Sequence, residues 1–346
     1  MSESHLLTLK SKSLSGGELK LATIKDVSKE TGLSIGTVSR VFNNRGYISK
    51  ETRDKVEAAV KKLNYQPNAL ARSLSKSSSN IIGVILPHIS HPFFSDLLSY
   101  IENATREKGY SLMVFVTKGD EEAEQAMINR CRENKVCGLI LCSGRFATKK
   151  IESNEFPVVA IERNPEGASF AIECNNKQGG RLAAQELIDN GCKNLISLAG
   201  IQGRKMPADD RSIGFEEVCR KNGVNFTCLS YPPELYDRLD YTAFIEKVLT
   251  ERPATDGIFA SSDIIASQVI QVATSMGLRV PEDIKVVGFD DTLIATYTTP
   301  QLTTIHQPIK EMAELAVSTL INLKDERAAT GCTIMNVSLI KRGTTL

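Results

Sequence analysis

Residues Thr23 to Asn43 read TIKDVSKETGLSIGTVSRVFN, two short amphipathic helical patterns hinged on Gly32. Thr23 followed three positions later by Asp26 is a capping-box-like start, placing side-chain oxygens beside the orphan amides of a first helical turn. Ile24 and Val27 then share one face while Lys29 and Glu30 lie away from it. Gly32 supplies a positive-φ turn. Ser34 can cap a second helix in which Val38 and Val41 point inward and Ile35, Gly36, Thr37, Ser39, Arg40 and Asn43 face outward. A third pattern, Ser49 to Leu63, opens with another Ser-x-x-Thr cap and buries Val56, Ala59, Val60 and Leu63. The expectation is a three-helix head built as a helix-turn-helix, whose outer second-helix face suits a DNA groove.

Helix-turn-helix spacing arises by accident in ordinary bundles, so charge decides between the two readings. The whole chain of 346 residues has a formal net charge of only +1. Between Leu21 and Asn80, however, 11 Lys and Arg stand against 5 Asp and Glu, a net of +6, while Ile81 to Leu346 carries 28 against 34, a net of −6. The basic charge is concentrated where DNA would lie.

The head continues into Leu63-Asn64-Tyr65-Gln66-Pro67-Asn68-Ala69-Leu70-Ala71-Arg72-Ser73-Leu74. With this second motif the chain resembles the lactose-repressor (LacI/GalR) family. The resemblance implies that this stretch is a hinge helix that folds on operator DNA and wedges Leu74 into the central base step. The residues are consistent with that behaviour: one apolar stripe, and a length of only about two turns, which is marginal for an isolated helix. An inserted apolar wedge kinks DNA at a cost offset by added contacts. The resemblance further places Ile35, Gly36 and Arg40 at base-reading positions, and Thr37, Ser39, Asn43, Tyr65 and Asn68 at phosphates or groove edges. Arg40 is the strongest base reader, since its fork can grip guanine O6 and N7 together. Two departures bear on the operator sequence: Gly36 has no side chain to read with, and Ser75 follows the wedge where some relatives carry Lys.

Beyond a Ser-rich linker, short apolar runs alternate with amphipathic helical patterns, the signature of parallel sheets with crossover helices. Expected strands are Ile81–Leu86, Ser111–Phe115, Gly138–Leu141, Val158–Ile161, Leu195–Ala199, Gly257–Ala260 and Lys285–Phe289. Expected helices are Phe93–Lys108, Glu121–Glu133, Lys177–Asn190, Arg211–Lys221, Tyr241–Glu251 and Asp263–Met276. About 265 residues suggests two lobes. Markers such as Ile82-Gly83-Val84-Ile85-Leu86-Pro87, His91-Pro92-Phe93-Phe94, Arg211-Ser212-Ile213-Gly214-Phe215, Ala260-Ser261-Ser262-Asp263 and Val286-Val287-Gly288-Phe289-Asp290-Asp291 resemble the type I periplasmic-binding-protein-like sensor of the same family. The expected fold is therefore an α-helical helix-turn-helix head (21–66), a hinge and linker (67–80), and a two-lobed α/β sensor (81–346). By resemblance the first lobe holds about 81–162 and 294–323, and the second 163–293 and 324–346.

In that fold a ligand sits between the lobes, in keeping with the rule that open α/β sheets bind at the carboxyl ends of their strands. The matching residues are His91, Phe93, Phe94, Glu162, Arg163, Arg211, Ser262, Asp263 and Asp290. Aromatic faces for a sugar ring, with Arg211, Glu162 and Asp290 for hydroxyls, favour a polyhydroxylated effector, a small sugar or sugar phosphate. Taken singly, Phe93 and Phe94 read as helix core and Asp290-Asp291 as a turn; their joint occurrence is what points to a cleft. Where the family pattern has Asp-Arg after the fourth strand, Glu162-Arg163 stands here.

No Gly-rich phosphate loop or nucleophile elbow follows the first strand, where Pro87-His88-Ile89-Ser90 stands, so no enzyme, metal or cofactor is expected. The eight Cys show no CxxC pair and read as small buried hydrophobes of a reducing compartment. No apolar run approaches the roughly 18 residues of a membrane span. The first 20 residues are polar, lack the apolar core of a signal peptide and read as a disordered extension; by family resemblance, translation could begin at Leu21. The sequence-based function is a cytoplasmic, sugar-responsive repressor acting as a homodimer on near-palindromic double-stranded operator DNA. The rivals are a family regulator switched by a phosphorylated carrier protein and, more distantly, a sugar-binding receptor.

Overall fold

The computed structural model describes residues 22–43, 46–65, 79–118, 120–142, 156–163, 165, 167–203, 206–325 and 331–346, the side chains of Asn43 and Glu121 excepted. The expected N-terminal extension, Leu21, Asn68 and the wedge Leu74 lie outside the described residues. The chain divides into two compact units, one up to Lys76 and one from Ser77.

The first unit contains α1 (Ile24–Thr31), α2 (Ile35–Asn43) and α3 (Lys50–Lys62). The local chemistry is that expected from the sequence. The Asp26 carboxylate accepts from the Thr23 N–H at 2.8 Å and the Thr23 hydroxyl at 2.7 Å. Gly32 ends α1 at φ +67°. Ser34 Oγ accepts from the Thr37 N–H at 3.1 Å, and Ser49 Oγ from the Thr52 N–H at 3.2 Å. Val27, Val38, Val41, Val56 and Ala59 form the core, with Leu63 packed against it.

The second unit holds two six-stranded sheets. The first contains β1 (Ile81–Leu86), β2 (Ser111–Val116), β3 (Gly138–Leu141), β4 (Val158–Ile161), β5 (Phe170–Cys174) and β11 (Gly331–Met335), in the order β11-β5-β4-β3-β1-β2 and parallel throughout. The second contains β6 (Asn194–Ile201), β7 (Asn225–Tyr231), β8 (Gly257–Ala260), β9 (Lys285–Asp290), β10 (Thr303–His306) and β12 (Ser338–Ile340). Its order is β12-β10-β9-β8-β6-β7, parallel except for β12 against β10.

Helices cover both sheets. α4 (Pro92–Glu107) and α12 (Ile309–Lys324) pack Leu97, Ile101, Met312, Ala316 and Leu320 on one face of the first sheet, and α5 (Glu121–Glu133) packs Ile128 and Cys131 on the other. On the second sheet, α6 (Asn176–Asp189) and α7 (Asp210–Asn222) cover one face with Ala183, Leu187 and Phe215. The other face is covered from α9 (Thr242–Glu251) and α10 (Asp263–Ser275) by Ile245, Val248, Ala266 and Val269. Two shorter helices, α8 (Pro233–Arg238) and α11 (Leu293–Tyr297), complete the set.

Sheet membership corrects the expected lobe boundaries. β5 belongs to the first sheet, so the first crossing falls between Cys174 and Asn176 and not after Glu162. β10 belongs to the second, moving the next crossing from before Ile294 to between His306 and Ile309. β11 returns to the first sheet before β12 joins the second, so the last crossing lies between Met335 and Ser338.

Six of the eight cysteines are buried, as their reading as small hydrophobes required, while Cys228 and Cys332 are exposed. No helix among the described residues is long and apolar enough to cross a membrane.

Candidate functional site

On the head, Val38 and Val41 turn inward, which leaves Ile35, Gly36 and Arg40 exposed and Thr37 and Ser39 half-buried on the opposite side of α2. Ile35 is 44% exposed at the start of the helix, an apolar side chain held in water with no core to join. Such a group suits a thymine methyl, and Arg40 one turn further on suits a guanine edge. Tyr65 packs its ring into the head core, 5.6 Å from that of Phe42.

A Cβ at Gly36 would meet only Ser34 Oγ, at 3.7 Å. Gly36→Ala is therefore expected to stabilise the head by up to about 1 kcal/mol through helix propensity. Calorimetry of the full chain would read this as a higher transition temperature for the head; a lower one would show that backbone approach at Gly36 is constrained.

The sensor carries a cleft, open at its mouth, at the carboxyl ends of both sheets. His91 precedes Pro92 at the first position of α4, so the turn out of β1 delivers Phe93 and Phe94 to the wall. Their rings meet edge to face at 5.1 Å, and His91 meets Phe94 at 5.4 Å. Phe93 and Phe94 are core residues and cleft residues together. Burial, with His88 and Arg211 nearby, pulls the His91 pKa down to about 3. At neutral pH His91 is an uncharged ring.

Arg211, from α7 on the second sheet, is the centre of the site. Its Nε donates to Asn176 Oδ1 at 2.7 Å, its Nη1 to the Ser261 carbonyl at 2.6 Å, and its Nη2 stands 3.8 Å from Glu162 Oε2. The guanidinium lies over the Phe289 ring, 3.5 Å from its centroid. Glu162 follows β4 of the first sheet and accepts from the Cys174 N–H at 2.5 Å and from Asn176 Nδ2 at 2.9 Å. The Arg211 to Glu162 pair thus links the two lobes beside the first crossing.

Asp290 ends β9 and accepts from Gln307 Nε2 at 2.6 Å; burial and the neighbouring Asp263 raise its pKa well above the usual carboxylate range. Glu162 at φ +52° and Asp290 at φ +116° both occupy backbone conformations that non-glycine residues avoid. Each costs on the order of 1–3 kcal/mol, and the surrounding bonds hold them there.

Of the nine expected cleft residues, the structure brings eight to the lining of this one cleft: His91, Phe93, Phe94, Glu162, Arg163, Arg211, Ser262 and Asp290. Asp263 is the exception. One oxygen accepts from the Thr292 N–H and hydroxyl at 2.7 and 3.0 Å, and the other from the Thr304 hydroxyl at 2.6 Å. Its role is to tie α10 to β10 and the β9 exit; burial lifts its pKa to about 7.

Sequence reading missed Asp209, Tyr231, Tyr236, Tyr241 and Gln307, which also line the cleft. Tyr231 and Tyr241 stack edge to face at 5.0 Å. Tyr231 ends β7 and Gln307 follows β10, two strands that were not anticipated, so the signal for these residues was lost with their strands.

Comparison with known proteins matches the head and the sensor to families. Residues 23–68 match the model for bacterial regulatory proteins of the lacI family, and residues 184–345 that of a periplasmic binding protein-like domain. The chain is 36% identical over 304 residues to the ribose operon repressor of Halalkalibacterium halodurans, covering 88% of this chain and 90% of the relative. It is 33% identical over 320 residues to the sucrose operon repressor of Streptococcus mutans, covering 92% and 98%. Among solved structures it is similar to the lac repressor dimer bound to operator and an anti-inducer, at TM-score 0.81 and 27% identity over 94% of this chain and 100% of that one. It is also similar to a periplasmic binding protein/LacI transcriptional regulator from Alkaliphilus metalliredigens complexed with D-xylulofuranose, at TM-score 0.69 and 28% identity over 78% and 100%.

Proposed function

We propose that this chain, which belongs to the lacI family of bacterial regulatory proteins, is a sequence-specific repressor of a sugar-utilisation operon, controlled by a small sugar in the sensor cleft. The observation that carries the reading is the company of Arg211: a buried, inter-lobe ion pair set between aromatic rings and hydroxyl-binding groups. Such a wall combines flat apolar faces with a few fixed polar atoms, which is what a sugar ring with its hydroxyls requires. Its near full-length relatives named ribose and sucrose operon repressors support the same class of effector.

In this reading Ile35, Gly36, Thr37, Ser39, Arg40 and Asn43 face the operator, joined by Asn68 and the wedge Leu74. One head reads one half-site, so a homodimer reads the inverted repeat. A lac repressor dimer on operator among the similar structures supports that assembly. The working place is the cytoplasm, where the operator is. Effector in the cleft favours one relative setting of the lobes, and that setting biases the paired hinges toward or away from their DNA-bound form.

The test is fluorescence anisotropy on DNA from upstream of the protein's own and neighbouring genes, at fixed salt, across pentoses, disaccharides and their phosphates. A change in operator affinity with one sugar supports the reading. No change with any sugar, and tighter binding with a phosphorylated carrier protein, refutes it in favour of that rival. In the same assay Arg40→Ala is expected to cost about 1–3 kcal/mol on operator and much less on unrelated DNA. Equal loss on both DNAs would remove Arg40 from the base-reading set.

A further inference from the structure

We propose that the rings of His88 and Tyr236 clasp the two lobes together at the rim of the cleft farthest from the three crossings, and so set how readily the sensor opens. The proposal deepens the lobe-switched reading above, but its test needs no sugar. The two rings meet edge to face with centroids 4.8 Å apart, and both residues are buried, at 4% and 8% exposure. Each ring is anchored by its own lobe. The Thr117 N–H donates to the Leu86 carbonyl and the Lys118 N–H to the Pro87 carbonyl, both at 3.0 Å, which fixes the turn carrying His88 to the exit of β2. Tyr236 belongs to the apolar core of the second sheet. Gln268 of α10 donates from Nε2 to the Leu239 carbonyl at 2.9 Å and accepts from the Tyr241 N–H at 2.6 Å, which pins the end of α8. Separating the rings therefore means separating the lobes.

Sheet order puts this contact where it acts with the longest arm. All three crossings leave from one edge of each sheet, β5 and β11 in the first and β10 and β12 in the second. His88 follows β1, three strands beyond β5, and α8 follows β7, four strands beyond β10. At about 4.8 Å per strand the clasp lies on the order of 15–20 Å from the crossings. Glu162 follows β4, the neighbour of β5, so its pair with Arg211 lies roughly one strand away from them. A rotation about the crossings moves the clasp about three times as far as that pair, and a small opening breaks the ring contact first. Tyr236 lines the cleft, whereas His88 is not among its described lining residues. An effector packed on the inner face of Tyr236 steadies one half of the clasp without touching the other, which favours the closed setting.

The test is maleimide labelling of the full chain without effector, read by peptide mass spectrometry at two buried thiols of one strand. Cys142 follows β3 at its carboxyl end, with the cleft residue Arg163 as a charged neighbour, while Cys137 precedes β3 at the opposite end, near Lys324. Opening of the lobes exposes the first end and not the second. His88→Ala is expected to speed labelling of Cys142 by roughly two- to tenfold, the range of one edge-to-face ring contact, and to leave Cys137 unchanged. His88→Phe restores a ring and is expected to return the parent rate. An unchanged Cys142 rate in His88→Ala overturns the proposal. Equal acceleration at both thiols overturns it too, since that is a general loosening of the first lobe and not an opening of the cleft. So does a His88→Phe chain that labels as fast as His88→Ala. A sugar panel that leaves operator binding unmoved would refute the sugar reading and leave this result standing.

Discussion

Gly180→Ala is expected to lower the melting temperature of the sensor by roughly 4–8 °C, although the same change in an ordinary helix would raise it. Gly180 lies inside α6, where alanine is better than glycine by about 1 kcal/mol of intrinsic propensity. The crossing of α6 with α7 reverses that sign. A Cβ at Gly180 would stand 1.8 Å from the Arg211 carbonyl oxygen, and one at Gly214 would stand 1.9 Å from the Lys177 carbonyl oxygen. The two helices therefore touch backbone to backbone through a reciprocal pair of glycines. The obstructing atoms are main-chain carbonyls, so no side chain can rotate away, and overpacking of this kind costs about 3 kcal/mol or more. The effect reaches function because α7 carries Arg211, whose 2.6–2.7 Å bonds to Ser261 and Asn176 leave little room for displacement. Differential scanning calorimetry with and without the effector measures both consequences. A melting temperature equal to or above that of the parent chain would show that α6 and α7 can separate without loss.

This contact also shows where sequence reading stopped. Arg211-Ser-Ile-Gly214-Phe215 stands out in the sequence, but nothing local reveals that Gly214 faces Gly180. Strand interiors were legible: Ile81–Leu86, Gly138–Leu141, Val158–Ile161 and Gly257–Ala260 have the observed bounds, because strands buried on both faces read as continuous apolar runs. β10 was missed for the opposite reason. Thr303 and Thr304 are fully buried, yet they are polar. Thr303 shares hydrogen bonds with Arg342, Thr344 and Thr345, and Thr304 donates to Asp263. Polarity indicates a surface only when a side chain has no partner inside. β7 alternates exposed and half-buried positions at a sheet edge, and β11 does much the same, so neither presents an apolar run. Losing these strands displaced the lobe boundaries and hid Tyr231 and Gln307. In the head, cap chemistry and periodicity sufficed for three helices, while the packing of the Tyr65 ring against Phe42 was not read from the sequence.

Arg211→Ala is expected to abolish the effector's influence on operator affinity and to destabilise the sensor by about 3–5 kcal/mol, the usual cost of removing one partner from a buried ion pair. Both members are nearly inaccessible, each with 7% of its side chain exposed. The Cys174 amide and the Asn176 side chain would still hold the Glu162 carboxylate, which places the loss toward the lower end of that range. What they cannot replace is the bond across the lobes, since Arg211 belongs to α7 on the second sheet while Glu162 extends β4 of the first. Without it, an effector still touches both walls but no longer closes a charged latch between them. Its binding energy is then spent without favouring one lobe setting over the other. A ligand with equal affinity for two states shifts neither. Arg211→Lys separates charge from geometry: one ammonium cannot reach Asn176, Ser261 and Glu162 at once, so the response should stay weak even where stability recovers. Operator anisotropy at saturating effector decides the matter. A full response in both variants would place the coupling between the lobes elsewhere in the cleft.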